Sequence, residues 1–185
     1  MKSEVLKELP PKTENLHRIE LDEQQRKLYL AAVVDAREKL RAAKPEDKMA
    51  VFAVLMRLRE ICCDPRLVAD NWDGGSAKLE ACMELVTAAV EGGHRILLFS
   101  QFTSMLELLA KRLDEAGVSH FTLQGSTPKP VRAELVRRFN SGEADVFLIS
   151  LRAGGTGLNL TAADIVIHYD PWWNVAAQNQ ATDRA

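Results

Sequence analysis

Cysteine is scarce in this chain, and what there is suits neither a bridge nor a metal. Cys62, Cys63 and Cys82 are its only three, set in apolar stretches of helical character. Adjacent cysteines make neither a zinc knuckle nor a sensible disulfide, so they read as reduced core residues of an intracellular protein. The four histidines (His17, His94, His120, His168) are scattered and lack the spacing of metal ligands. No apolar run approaches the roughly 20 residues a membrane helix needs, and the N-terminus is charged rather than signal-like. Charge of one sign is missing too: 24 Lys and Arg against 26 Asp and Glu leave a net −2. That is not the balance of a free-standing nucleic-acid binder, so any such contact must be local and weak in this chain alone.

What is present describes a globular protein, 46% hydrophobic and 27% charged. Its 185 residues allow one domain of ordinary size plus a smaller appendage. Residues 1–75 read as a helical leader. Pro10-Pro11 marks an extended entry, and Tyr29, Val33, Ala36 and Leu40 fall at the spacing of an amphipathic helix from about Asp22 to Ala42. Lys44-Pro45-Glu46-Asp47 starts a second helix, with proline and acids where its dipole favours them. That helix, about Glu46 to Cys62, is apolar on most faces (Val51, Phe52, Leu55, Met56, Leu58, Ile61) and is expected to be well covered. Asp64-Pro65 ends it, and the turn Asn71 to Gly75 is the domain boundary.

From residue 76 the chain becomes rhythmic. Ser76 caps a helix striped with Leu79, Met83, Val86 and Val90, closed by Gly92-Gly93. A strand from Arg95 to Phe99 follows. Ser104 and Glu107 have capping-box spacing ahead of a helix with Leu106, Leu109 and Leu113, ended by Gly117. His120 to Leu123 is a short strand. Thr127-Pro128 opens a helix with Val131, Leu135 and Phe139 on one face, stopped by Gly142. Such alternation predicts an α/β fold with parallel strands joined by helical crossovers and functional loops at the strands' C-terminal ends. It places Ser100-Gln101, Gln124-Gly125-Ser126 and Ser150 to Asn159 along one edge. Ser100, Gln101, Gly125 and Ser126 there offer short polar groups and a bare amide suited to backbone phosphates, a contact that reads no bases. Ser126 is equally placed to cap the following helix.

Residues 146–174, VFLISLRAGGTGLNLTAADIVIHYDPWWN, carry the most chemistry. An apolar run breaks into a polar loop holding Gly154, Gly155 and Gly157, where bare amides can approach an anion closely. A second apolar run, Ile165 to Ile167, leads into paired tryptophans. Read with LLFSQF (97–102), LQGSTP (123–128) and QATDRA (180–185), this block resembles the C-terminal RecA-like lobe of the Swi/Snf-type family of helicase-like, DNA-translocating ATPases. VLKELPPKTE (5–14) and MRLREICCDPRLV (56–68) are similar to the segment joining that family's two lobes, so the resemblance covers nearly the whole chain.

The resemblance implies a parallel sheet flanked by helices in residues 76–185, a second RecA-like lobe incomplete at its C-terminus. It also implies an ATP site shared with an N-terminal RecA-like lobe. No G-x-x-x-x-G-K followed by Ser or Thr occurs, and no Asp-Glu pair for magnesium. Asp114-Glu115 lacks the His that should follow and reads as a solvated helix end. The chain is therefore expected to be a fragment that binds ATP and Mg2+ mainly through the other lobe and is inactive alone. In the resembling motors Arg184 belongs to an arginine pair that reaches the transferred phosphoryl, a contribution of about 10³- to 10⁵-fold in related systems. Gln180 and Asp183 orient it and contact nucleotide. Gly157 and Asn159 fall where relatives approach the γ-phosphate and ribose. Ser150, Arg152, Gly154 and Gly155 face the tracked strand of double-stranded DNA, and Trp172 or Trp173 lies near DNA or in an interface. The resemblance implies duplex translocation, in the cytoplasm or nucleoid of a bacterium or the nucleus of a eukaryote.

Two other readings are weighed. A dinucleotide-binding enzyme would use the glycine loop for pyrophosphate, but Gly155-x-Gly157 lacks the third glycine and comes too late for a βαβ unit. A catalytically silent interaction module that keeps the fold is the alternative that composition leaves open.

Overall fold

In the computed structural model, which describes residues 13–42, 47–154 and 158–171, two apolar layers enclose a parallel sheet. The chain runs α1 (Glu23–Ala42), α2 (Lys48–Cys63), a 3₁₀ turn (Pro65–Leu67), α3 (Ala77–Glu91), β1 (Ile96–Ser100) and α4 (Thr103–Glu115). It continues with β2 (His120–Leu123), α5 (Lys129–Asn140), β3 (Val146–Ser150), α6 (Leu151–Gly154) and β4 (Ile165–His168). The sheet has four strands in the order β2-β3-β1-β4, every neighbour parallel. ILLFS and VFLIS form the two central strands and are buried along their whole length, as continuous apolar runs in doubly covered parallel strands are.

The period of two sorts these strands between the layers. Ile96, Leu98, Val146 and Leu148 join α3 and α4 through Leu79, Met83, Val86, Leu106, Leu109 and Leu113. Leu97, Phe99, Phe147 and Ile149 face the other way, onto Phe139 of α5, Ala153 of α6 and Leu160. Each fully buried Leu or Phe contributes about 1.5–3 kcal/mol of transfer free energy. Three helices end alike. Gly93, Gly117 and Gly142 take φ of 80°, 68° and 90°. The residues following them return hydrogen bonds to the helix ends: His94 N–H to Ala89, Val118 N–H to Leu113, Glu143 N–H to Arg138.

The leader docks on this lobe through the C-terminal carbonyls of α2, which the helix itself cannot satisfy. Within the leader, fully buried Gln25 ties α1 to α2 by donating from Nε2 to the Ile61 carbonyl at 2.7 Å. The Cys63 carbonyl accepts from Tyr169 Oη at 2.8 Å and Ser76 Oγ at 3.1 Å. Ser76 also caps α3, accepting from Leu79 N–H. Cys63 and Cys82 are free and buried, and burial pushes their thiols up to about 12.

Four local expectations are corrected. The Ser104/Glu107 capping box is not made, because Phe102 is the N-cap of α4 and Ser104 lies inside the helix. The polar loop after β3 begins as a helical turn, α6, whose first turn Ser150 Oγ stabilises by accepting from Ala153 N–H at 3.3 Å. On α5, Val131 is exposed while Phe139 is fully buried. Finally, α2 is not covered on most faces: Met49, Val51, Phe52 and Leu55 are exposed. Among the described residues it packs chiefly on α1, the 3₁₀ turn and α3, which leave that side of the helix uncovered.

Candidate functional site

Parallel pairing aligns the strands' exits. Register pairs Ser100 with Ser150 and Leu123 with Ile149, so the chain leaves β1, β2 and β3 at one level. Phe99 pairs with His168, which brings Tyr169-Asp170-Pro171 to the same edge. The groups predicted to line one edge at 100–101, 124–126 and 150 are brought together there, whereas Asn159, expected on the same edge, is not.

Within that edge the residues differ in availability. Ser100 is fully buried, and its Oγ accepts from Phe102 N–H at 3.1 Å, closing a tight turn. Ser150 is buried and committed to α6. Gly125 and Ser126 are exposed. Their loop is held from behind by Arg132, whose Nε donates to Thr127 O at 2.8 Å and whose Nη2 donates to Gly125 O at 2.8 Å. Ser126 does not cap α5, because Pro128 is its N-cap and no side chain closes it. The expectation for Asn159 is corrected: it is exposed at the opposite end of the sheet, its carbonyl accepting at 3.0 Å from Nδ2 of Asn140, the last residue of α5, because the chain has already run back toward the start of β4. Arg152 and Gly154 lie in α6. Gly155, Gly157, Trp172, Gln180, Asp183 and Arg184 lie outside the described residues. Asp114 and Glu115 are exposed at the end of α4, the solvated face expected of them.

Two residues that sequence reasoning missed organise this edge. Asp170, only 3% exposed, accepts from Gln101 N–H at 3.0 Å. Burial raises its pKa; the Ser100 and Gln101 hydrogen bonds, then Lys78 and Arg59, work in the opposite direction. Arg59 of α2 donates from Nη1 to Gln101 Oε1 at 3.2 Å and from Nη2 to Pro171 O at 3.0 Å, with the Asp170 carboxylate 3.9 Å away. Gln101 Nε2 is enclosed and finds no acceptor among the described residues, at a cost of about 1–3 kcal/mol. The available signal was weak: an arginine within an apolar helix, and an acid just past a strand. Beside them Lys78 Nζ sits 4.9 Å from the Tyr169 ring centroid. His168 stacks on Phe99 at 5.4 Å, a packing role. Among the described residues no group of three or more His, Cys, Asp or Glu converges as a metal site.

A parallel sheet covered by helices on both faces, with polar loops gathered at its strands' C-terminal ends, defines a RecA-like α/β lobe. Residues 77–185 match the helicase conserved C-terminal domain and residues 1–67 the SNF2-related domain. The chain belongs to the SNF2-related helicase family and carries its C-terminal lobe. It is 37% identical over its whole length to an uncharacterized ATP-dependent helicase of Mycoplasma pneumoniae, covering 18% of that protein. It is 35% identical, again over its whole length, to the mouse SWI/SNF-related matrix-associated actin-dependent regulator of chromatin subfamily A member 1, covering 19% of it. The chain thus spans about a fifth of the length of these relatives. The Sulfolobus solfataricus SWI2/SNF2 ATPase core in complex with dsDNA matches all of this chain with 39% of its own, at a TM-score of 0.84 and 28% identity.

Proposed function

We propose that this chain is the C-terminal motor lobe of an ATP-driven double-stranded DNA translocase, preceded by a helical leader over residues 1–75. The observation that carries the reading is the aligned polar edge, in a chain of helicase family membership. Ser100-Gln101, Gly125-Ser126 and Ser150 stand at the exits of adjacent parallel strands. Such an edge grips a phosphate backbone without reading bases, which sequence-independent tracking requires. We assign Ser100, Gln101, Gly125, Ser126, Ser150, Arg152, Gly154, Gly155 and Trp172 to the DNA side. Two of the serines act through backbone geometry, since their hydroxyls are committed internally.

The nucleotide side comprises Gly157, Gln180, Asp183 and Arg184. ATP binds between this lobe and an N-terminal RecA-like lobe, whose groups hold Mg2+ and the phosphates. Arg184 then stabilises charge developing on the transferred phosphoryl group. Alternating closure and opening of the cleft moves the grip of the two lobes along DNA. Inside the cell the protein works on DNA in the bacterial nucleoid or the eukaryotic nucleus. The test is Arg184→Ala in a protein carrying both lobes. Turnover is expected to fall by about 10³-fold or more while nucleotide affinity stays within a few-fold. Equal loss of both would reassign Arg184 to a structural role.

A further inference from the structure

The leader hairpin carries cations that nothing in the described structure answers. Its helices run antiparallel: Gln25, near the start of α1, reaches the Ile61 carbonyl near the end of α2. That pairing sets Leu30 and Val34 of α1 roughly level with Leu55 and Val51 of α2. At about 100° per residue, Arg26, Leu30, Val34, Arg37 and Arg41 fall about 100–180° round α1 from buried Gln25. Lys48, Val51 and Leu55 fall about 80–140° round α2 from buried Ile61, in the same rotational sense. In antiparallel helices that is one side of the pair, so the two sets form a single face. Leu30 and Val34 are 54% and 58% exposed, Val51 and Leu55 43% and 44%. Arg26, Arg37 and Arg41 are exposed and have no acid partner among the described residues. The acids Glu23 and Asp35 of α1 are engaged by Lys27 and Lys39 instead.

Apolar side chains exposed together among cations call for cover of matching shape and opposite charge. A second copy of this chain does not supply it, because an isologous contact sets arginine against arginine. A phosphate backbone answers the arginines but leaves Leu30, Val34, Val51 and Leu55 against charged oxygens. A helix with acids flanking an apolar stripe meets both demands, seating its ridge between two helices while its carboxylates accept from the guanidinium forks.

We propose that this face seats an acidic amphipathic helix supplied by the same polypeptide from outside residues 1–185. This chain spans about a fifth of the length of its relatives, and a tethered segment is present at high effective concentration. From Arg26 to Arg41 the stripe runs about 22 Å, which asks for a helix of about four turns. Docked there, it covers the exposed side of α2, the helix whose far end holds the leader on the lobe. The seat stands whether or not the strand exits grip DNA.

The experiment uses the full-length protein with the photo-crosslinker benzoylphenylalanine in place of Val34 and, separately, of Leu30, both exposed positions outside the core. Irradiation without DNA is expected to give an internal adduct, at monomer mass, from each. Peptide mapping should place it on a segment outside residues 1–185 in which Asp or Glu flanks an apolar stripe of helical spacing. Reversing two cations, Arg37→Glu with Arg41→Glu, should lower the adduct yield by about tenfold. Arg37→Lys with Arg41→Lys should keep most of it, because the charge remains. Should the reversed variant fail to fold, Arg37→Gln with Arg41→Gln takes its place, with a loss of about threefold expected. A yield that neither change lowers, a captured segment without acids, or adducts confined to residues 1–185 would overturn the proposal. A covalent dimer assigns the face to a second copy, and an adduct with added duplex oligonucleotide assigns it to DNA. Either result overturns the proposal as well, as does the absence of any adduct from both positions.

Discussion

Asp170 shows how one residue can be costly and still useful. A carboxylate in so dry a place pays desolvation, and its neighbours compensate only in part, so its pKa rises. The folded state then holds the proton to higher pH than the unfolded chain does. Between the ordinary carboxylate value of about 4 and the raised one, folded protein binds more protons, and stability falls as pH rises. Asp170→Asn keeps an acceptor for Gln101 N–H without the charge. Urea unfolding over a pH series from about 4 to 7 should show a shallower fall in stability for Asp170→Asn than for the parent. An identical pH slope in both would place the cost elsewhere, with Glu60, also raised by burial, the next group to test.

At the scale of elements, the junction between leader and lobe is a set of helix ends completing one another. Ser76 has two tasks, capping α3 and donating to the last carbonyl of α2. Removing a serine N-cap costs about 1 kcal/mol, and the orphaned carbonyl adds to that, although Tyr169 Oη still reaches it. Ser76→Ala is therefore expected to destabilise by about 1–2 kcal/mol, measured by chemical denaturation. A change below a few tenths would mean water replaces the hydroxyl at both positions. The same logic explains why α6 replaces an expected loop. Ser150 sits in strand register with Ser100, yet its hydroxyl caps the turn that follows, and Ala153 goes into the core.

For the whole molecule, the proposed split of the ATP site makes a plain forecast. Residues 1–185 by themselves should hydrolyse ATP no faster than a blank, even with saturating DNA, in a phosphate-release assay. Turnover at a helicase-like rate would refute the shared-site picture. DNA binding by the same chain should be feeble and steeply salt-dependent, losing about 0.9 log units of affinity per tenfold salt for each phosphate contact. Tight binding at physiological salt would point to a surface other than the strand exits. The net charge of −2 argues against such a surface.

Apart from α6, the strands and helices of residues 76–168 were legible because their signals are local. Apolar runs of strand length, glycine at each helix end and proline or serine at helix starts act within a few residues. The motif strings carried the family for the same reason, being contiguous. Arg59, Asp170 and Arg132 were not legible, since each acts on partners far along the chain or on backbone carbonyls that no side-chain pattern encodes. Arg59 and Gln101 are 42 residues apart, and Arg59 and Pro171 are 112 apart. Which face of α2 finds cover was equally hidden, because apolar composition states a demand for burial and not its supply. By itself the sequence determined the order of the strands and of the helices that cross between them, the parallel α/β class and the motor family. Only the tertiary structure decided that a leader arginine and a buried aspartate hold the exits of β1 and β4, because strand pairing alone sets which distant residues share an edge.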